Sequence, residues 1–216
     1  MDIKKTSATA VFSTIMLIAA FLFICADNST AEAPQLKTYS NSETGLTFEY
    51  SSGYVLKEFL TPKGKLIAIL IGKTAGKENR WLMDIGIEEA SSYPREVYDP
   101  AKTSVKQFAI DTAINHCAAD GPDGGVRCEE VVRLENFRSA HGLGGYEIFL
   151  TEISGQYFED GTQKTEKKVK GPIYAFDISS GGNIRILLIE PTGWTKDYPD
   201  ETKTLSDIVK SLRRAR

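Results

Sequence analysis

The stretch HCAADGPDGGVRC, His116 to Cys128, holds two of the chain's three cysteines, one of its two histidines and a cluster of Gly, Pro and Asp. Three chemistries could use these side chains: nucleophilic attack by a thiolate, metal ligation, or a covalent cross-link. A thiolate needs a base in reach. His116 is adjacent to Cys117 in sequence, and consecutive helical residues point about 100° apart, so the two do not face each other. A zinc site needs four ligands, and DGPD lacks the alternating Asp/Asn spacing of a calcium loop. A disulfide between Cys117 and Cys128 fits better, with a pair of buried free thiols as the alternative. Closing such a loop stabilises a chain by ~3 kcal/mol. His116 then has a simple role, since a cation in the last helical turn interacts favourably with the helix dipole.

Other motifs fail at named positions. The sequence IGKT after a strand resembles the end of a phosphate-binding loop, but the glycine required upstream is replaced by Ile67. GLGGYE from Gly142 leads into a strand instead of a helix, so no helix N-terminus is there to hold a pyrophosphate. The histidines His116 and His141 are far apart, and neither an HExxH nor a GxSxG pattern occurs. No catalytic, cofactor-binding or metal-binding residues are predicted, and no cofactor. A hydrolytic role would need His141 to meet a carboxylate and a hydroxyl or thiol through the fold.

The cross-link also suits the chain's expected location. MDIKK followed by AVFSTIMLIAAFLFICA reads as an export signal covering residues 1–31, with cleavage after Ala31. Small residues at Ser29 and Ala31 favour that site, and Ala26 is a second candidate. Ile24 before Cys25 argues against a lipobox, and an uncleaved anchor over residues 8–26 is the alternative. Residues 32–37 are then a linker and residues 38–216 one domain, outside the cytoplasm in the periplasm or secreted, where disulfides persist. The charge balance, 26 basic against 29 acidic residues, gives no reason to expect nucleic acid as a partner. The densest basic run, KTEKKVK, is read as a solvated hairpin face.

Four strand signals come first: LTFEY, YVLKEF, KLIAILIG and RWLMDIGIEE. In the last, Trp81, Met83, Ile85 and Ile87 recur at period two. A helix of about 18 residues follows, with Asp99 as N-cap and Pro100 at its first position. Val105, Ala109, Ala113, His116 and Cys117 fall on one arc of it, joined by Ile110 and Ile114. DGPDGG ends that helix. Four more strand signals lead to a closing helix in PDETKTLSDIVKSLRRAR, with Leu205, Ile208, Val209 and Leu212 spaced i, i+3, i+4, i+7. Antiparallel strands with two helices to cover them predict an α+β fold: an α/β/α sandwich on a mainly antiparallel sheet of about seven to eight strands.

The opening TYSNSETGLTFEYSSGYVL resembles the start of the PsbP/Mog1/DcrB-like superfamily, through Tyr39, Asn41, Gly45, Leu46, Phe48, Tyr50 and Tyr54. Ser51 and Ser52 stand where that pattern has a proline. LSDIVKSLR is similar to the superfamily's closing helix. The resemblance implies the same sandwich, used for binding and accessory roles, and carries no catalytic set. Together these readings predict a non-catalytic binding or accessory module acting on an envelope protein partner. A carrier of a small or lipidic ligand in a sheet–helix groove, and a hydrolase, are the alternatives. Loops carry function on rigid scaffolds, and the aromatic residues Tyr157, Phe158, Trp194 and Tyr198 in hydrophilic loops are the candidate partner surface.

Overall fold

Side-chain alternation in β5 (Glu78–Glu89) shows how the sheet is specified. Met83 and Ile85 are buried on one face with Ile87 packed beside them, while Asp84, Gly86 and Glu88 project from the other. β9 (Arg185–Pro191) and β8 (Gln163–Asp177) are instead apolar on both sides. Leu187, Ile189, Tyr174 and Phe176 enter one core, and Ile186, Leu188, Ile173 and Ala175 enter the other. A strand read as a near-continuous apolar run belongs in the middle of a sheet covered on both faces, and these two lie there.

The computed structural model describes residues 35–75, 77–99, 102–117, 125–157, 163–192 and 199–214. With β3 (Val55–Leu60), β4 (Leu66–Ala75), β6 (Val126–Arg138) and β7 (Gly144–Tyr157), the main sheet has seven strands in the order β3-β4-β5-β9-β8-β7-β6. Every pairing is antiparallel. Helix α1 (Val105–Cys117) covers one face, where Phe108, Ala109, Ala113 and Cys117 meet Ile148, Leu150, Ile173 and Leu188. Helix α2 (Pro199–Ser211) covers the other: Leu205, Ile208 and Val209, with Leu212 just beyond it, pack on Ile69, Ile85, Leu187 and Ile189. These are the four residues whose spacing predicted the helix, and all are buried. The result is an α+β sandwich with a helix on each face of an antiparallel sheet.

A second, three-stranded sheet, β1 (Leu36–Asn41), β2 (Leu46–Ser51) and β10 (Arg213–Arg214), sits on the α2 side with the order β1-β2-β10. Leu46 and Phe48 join the α2 core, and Tyr39 stacks on Phe48 with ring centroids 4.9 Å apart. Five strands therefore precede α1 instead of four. β1 begins at Leu36, and its mostly exposed pattern hid it from a search for apolar alternation.

The start of α1 corrects the sequence reading. The predicted cap Asp99 accepts Lys102 N and Thr103 N through its backbone carbonyl, which closes a separate turn. The helix begins at Val105 and spans 13 residues. Ser104 caps it: its Oγ accepts Gln107 N at 3.1 Å and its carbonyl accepts Phe108 N at 3.0 Å. Phe108, absent from the predicted arc, is its most deeply placed large side chain and meets Tyr98 edge to face at 4.9 Å. Ile110, placed on that arc, is only half-buried.

Candidate functional site on the α1 face

Because α1 sits over β6–β9, the polar parity of β5 is left beside the helix's C-terminal end, and acidic residues collect there. Asp84 and Glu190 are direct cross-strand partners, and Glu88 lies on the same face of β5 beyond Gly86, two pleat repeats further along. His116, in the last turn of α1, reaches down between them. Its Nε2 lies 3.1 Å from Glu88 Oε1 and its Nδ1 lies 3.4 Å from Glu190 Oε1. The ring passes over Gly86, where an added Cβ would stand 3.8 Å from His116 Cε1. Lys170 of β8 reaches Glu190 Oε2 at 3.4 Å, and the Tyr93 hydroxyl donates to Glu88 Oε2 at 2.9 Å.

The electrostatics follow from this geometry. Hydrogen bonding to Glu190 and Glu88 outweighs partial burial and pushes the His116 imidazolium up to about 10. Burial opposes ionisation of Glu88, yet the His116 and Tyr93 hydrogen bonds hold its carboxyl below the usual carboxylate range. Asp84 goes the other way: burial first, then the neighbouring Glu190 charge, raise it. Its Oδ1 is buried with no hydrogen-bond partner among the described residues.

A histidine with both ring nitrogens committed to carboxylates, and protonated at neutral pH, has no lone pair with which to accept a proton. The arrangement therefore favours an ion-paired clamp over a general base. It fastens the end of α1 to two central strands. The disulfide Cys117–Cys128 ties the same turn to β6, with a Cα–Cα separation of 5.6 Å. Both sulfurs belong to buried residues in the α1 core. Among the described residues, no group of three or more His, Cys, Asp or Glu side chains is placed to hold a metal ion.

The sequence placed His116 correctly near the end of α1 and gave it only the dipole. Its partners come from β5 and β9, so no local pattern links them. Two signals were present: the acidic pair Asp84 and Glu88 on the non-core parity of a central strand, and Glu190 inside the apolar run ILLIEP. KTEKKVK is exposed at Lys164 to Lys167 as expected, but Lys170 is drawn into the Glu190 ion pair with only 15% of its side chain exposed. His141 sits apart, exposed in the turn between β6 and β7. It lines a cleft of about 340 Å³ with Gly142, Leu143, Arg213 and Arg214, a set without a carboxylate or hydroxyl. Tyr157 closes β7 opposite Gln163. Its side chain, and Phe158, Trp194 and Tyr198 altogether, lie outside the described residues. No described helix is long and apolar enough to cross a membrane.

No family model matches this chain, and no curated protein does. Among solved structures it is similar to "Solution Structure of Cyanobacterial PsbP (CyanoP) from Synechocystis sp. PCC 6803", at 13% sequence identity and a TM-score of 0.45. That match covers 84% of this chain and 94% of the other, and it assigns no residue a role here.

Proposed function

We propose that this protein is an exported, non-catalytic binding or accessory module that acts on an envelope protein partner. The observation that carries the reading is the clamp: the histidine best surrounded by acidic groups is held as a cation with both nitrogens engaged. Export is supported by the apolar N-terminal run and by a disulfide of the kind that persists outside the cytoplasm. The space between the sheet and α2 that a lipidic ligand would need is filled by Leu205, Ile208, Val209 and Leu212, which favours protein binding over carriage. The partner surface is proposed on sequence grounds at Tyr157, Phe158, Trp194 and Tyr198, because aromatic residues in polar loops are typical anchors of protein interfaces.

Cross-linking in the envelope fraction followed by pull-down tests it. The double variant Tyr157→Ala, Trp194→Ala is expected to lose most capture of the cross-linked partner while melting within a few degrees of the parent chain. Turnover of an esterase, phosphatase or peptidase substrate that vanishes on His141→Ala or His116→Gln would make the protein an enzyme instead.

A further inference from the structure

At the β3 edge of the main sheet, β3 (Val55–Leu60) pairs only with β4, and among the described residues no backbone group of Val55–Leu60 bonds to any other element. An antiparallel strand directs N–H and C=O groups to both of its sides, so the outer side of β3 presents a row of donors and acceptors open to another strand. Leu56 lies opposite Ile71 and packs on the α2 core. Lys57 lies opposite Leu70 and Phe59 opposite Ala68, so by alternation both belong to the other face. Beyond Phe59 the register slips by one residue, which leaves Ile67 with no residue opposite it. Phe59, Leu60 and Ile67 are three of the seven large hydrophobic residues exposed among those described, and all three fall at the same end of the β3–β4 pair.

Charge narrows what this edge can take. From Val55 to Ala75 the hairpin carries Lys57, Lys63, Lys65 and Lys73 against Glu58 alone, in a chain of net charge -3. Glu58 accepts a hydrogen bond from the Tyr39 hydroxyl at 2.5 Å, and Lys65 pairs with Glu89 at 2.8 Å. The Lys57 ammonium stands 4.8 Å from the centre of the Phe59 ring, and that of Lys73 5.1 Å from the Tyr54 ring. A lysine on an edge strand is a common guard against strand addition. The guard is selective, because it repels a basic strand and attracts an acidic one. A second copy of this chain is a poor occupant. Opposed residues in an antiparallel pair share a face, so two β3 strands centred on each other set Lys57 opposite Lys57 or Glu58 opposite Glu58, and like charges directly opposite destabilise. A bilayer has anionic charge but no main chain to satisfy the edge, and the lysines run from the turn at Lys63 to Lys73 at the far end instead of gathering at the apolar one. We propose that the β3 edge takes up an extended acidic segment of another protein as an added antiparallel strand, with apolar residues at its alternate positions. The site uses neither the aromatic loops of the proposed partner surface nor the His116 clamp, and its test is independent of theirs.

The test uses the full chain and a synthetic peptide of alternating Val and Glu, capped at both ends, with backbone amides followed by NMR at constant ionic strength. The expected result is saturable shifts centred on Val55–Leu60 and slower amide exchange along that strand. Lys57→Glu should lower the apparent affinity about tenfold while leaving the melting temperature within a few degrees. Two further peptides probe the two halves of the recognition in the parent chain. Methylating every amide nitrogen removes the main-chain donors, and exchanging Glu for Lys reverses the charge; both changes should abolish binding. These two peptides decide the outcome if Lys57→Glu melts early. Full binding by either altered peptide, shifts centred away from β3, or no saturable shift would overturn the proposal. So would a concentration-dependent dimer that closes the β3 edge on its own copy, or co-sedimentation with phosphatidylglycerol vesicles by a chain that ignores the acidic peptide.

Discussion

His116 holds its charge because two carboxylates compete for it, and that makes its contribution to stability depend on pH in a defined direction. Its folded-state value of about 10 lies above the ordinary 6.5. The stabilisation is therefore complete below about pH 6.5 and is lost as pH rises toward 10. Glu88, held below its ordinary value, contributes stability that is present above pH 4.5 and fades as pH falls through its lowered value. Unfolding free energy of the parent chain should decline between pH 7 and pH 10, and His116→Gln should remove most of that slope. At pH 7 the same substitution should destabilise by about 2 kcal/mol in urea melts, less than for a fully buried pair, because the His116 side chain is 30% exposed and Lys170 still faces Glu190. A flat pH profile in the parent chain would remove the clamp from the account.

At the scale of elements, α1 is fixed at both ends by separate devices: the Ser104 cap at its start and the Cys117–Cys128 cross-link at its end. Ser104→Ala should cost about 1 kcal/mol, and more than Asp99→Ala, as judged by denaturant midpoints. Cys128→Ser should cost about 3 kcal/mol, and intact-mass measurement should find both thiols reactive only after reduction. How far these elements could be read from sequence depends on where their information lies. α2 was legible because Leu205, Ile208, Val209 and Leu212 carry its packing in their spacing, and β5 because Met83 and Ile85 alternate with polar residues. The start of α1 was misread because Asp99-Pro100 and Ser104 are both good start signals, and only the turn closed at the Asp99 carbonyl decides between them. β10, two residues long, has no period of its own and exists through pairing with Thr47 and Leu46. The clamp needs side chains from α1, β5, β8 and β9, and nothing local in any of those segments announces it.

At the largest scale, the described residues from 35 onward form a seven-stranded sheet with a helix on each face and its edges at β3 and β6, joined on the α2 side by the small β1-β2-β10 sheet. The β6 edge is interrupted by irregular register between Cys128 and Arg133 and carries Arg127, Glu129, Glu130, Arg133 and Glu135, features that discourage strand addition. With both cores closed and Glu88 and Glu190 engaged by His116 and Lys170, the proposed partner binding falls to the loops and clefts. That view rests on His116 being a committed cation. The most direct test is a ¹⁵N and ¹³C NMR titration of the His116 ring in the intact, disulfide-bonded chain. The account predicts an imidazolium, with both nitrogens protonated, throughout the neutral range and a midpoint near 10. A neutral ring at pH 7.5 that titrates near the ordinary 6.5 would contradict it, and would return His116 to the residues able to accept a proton.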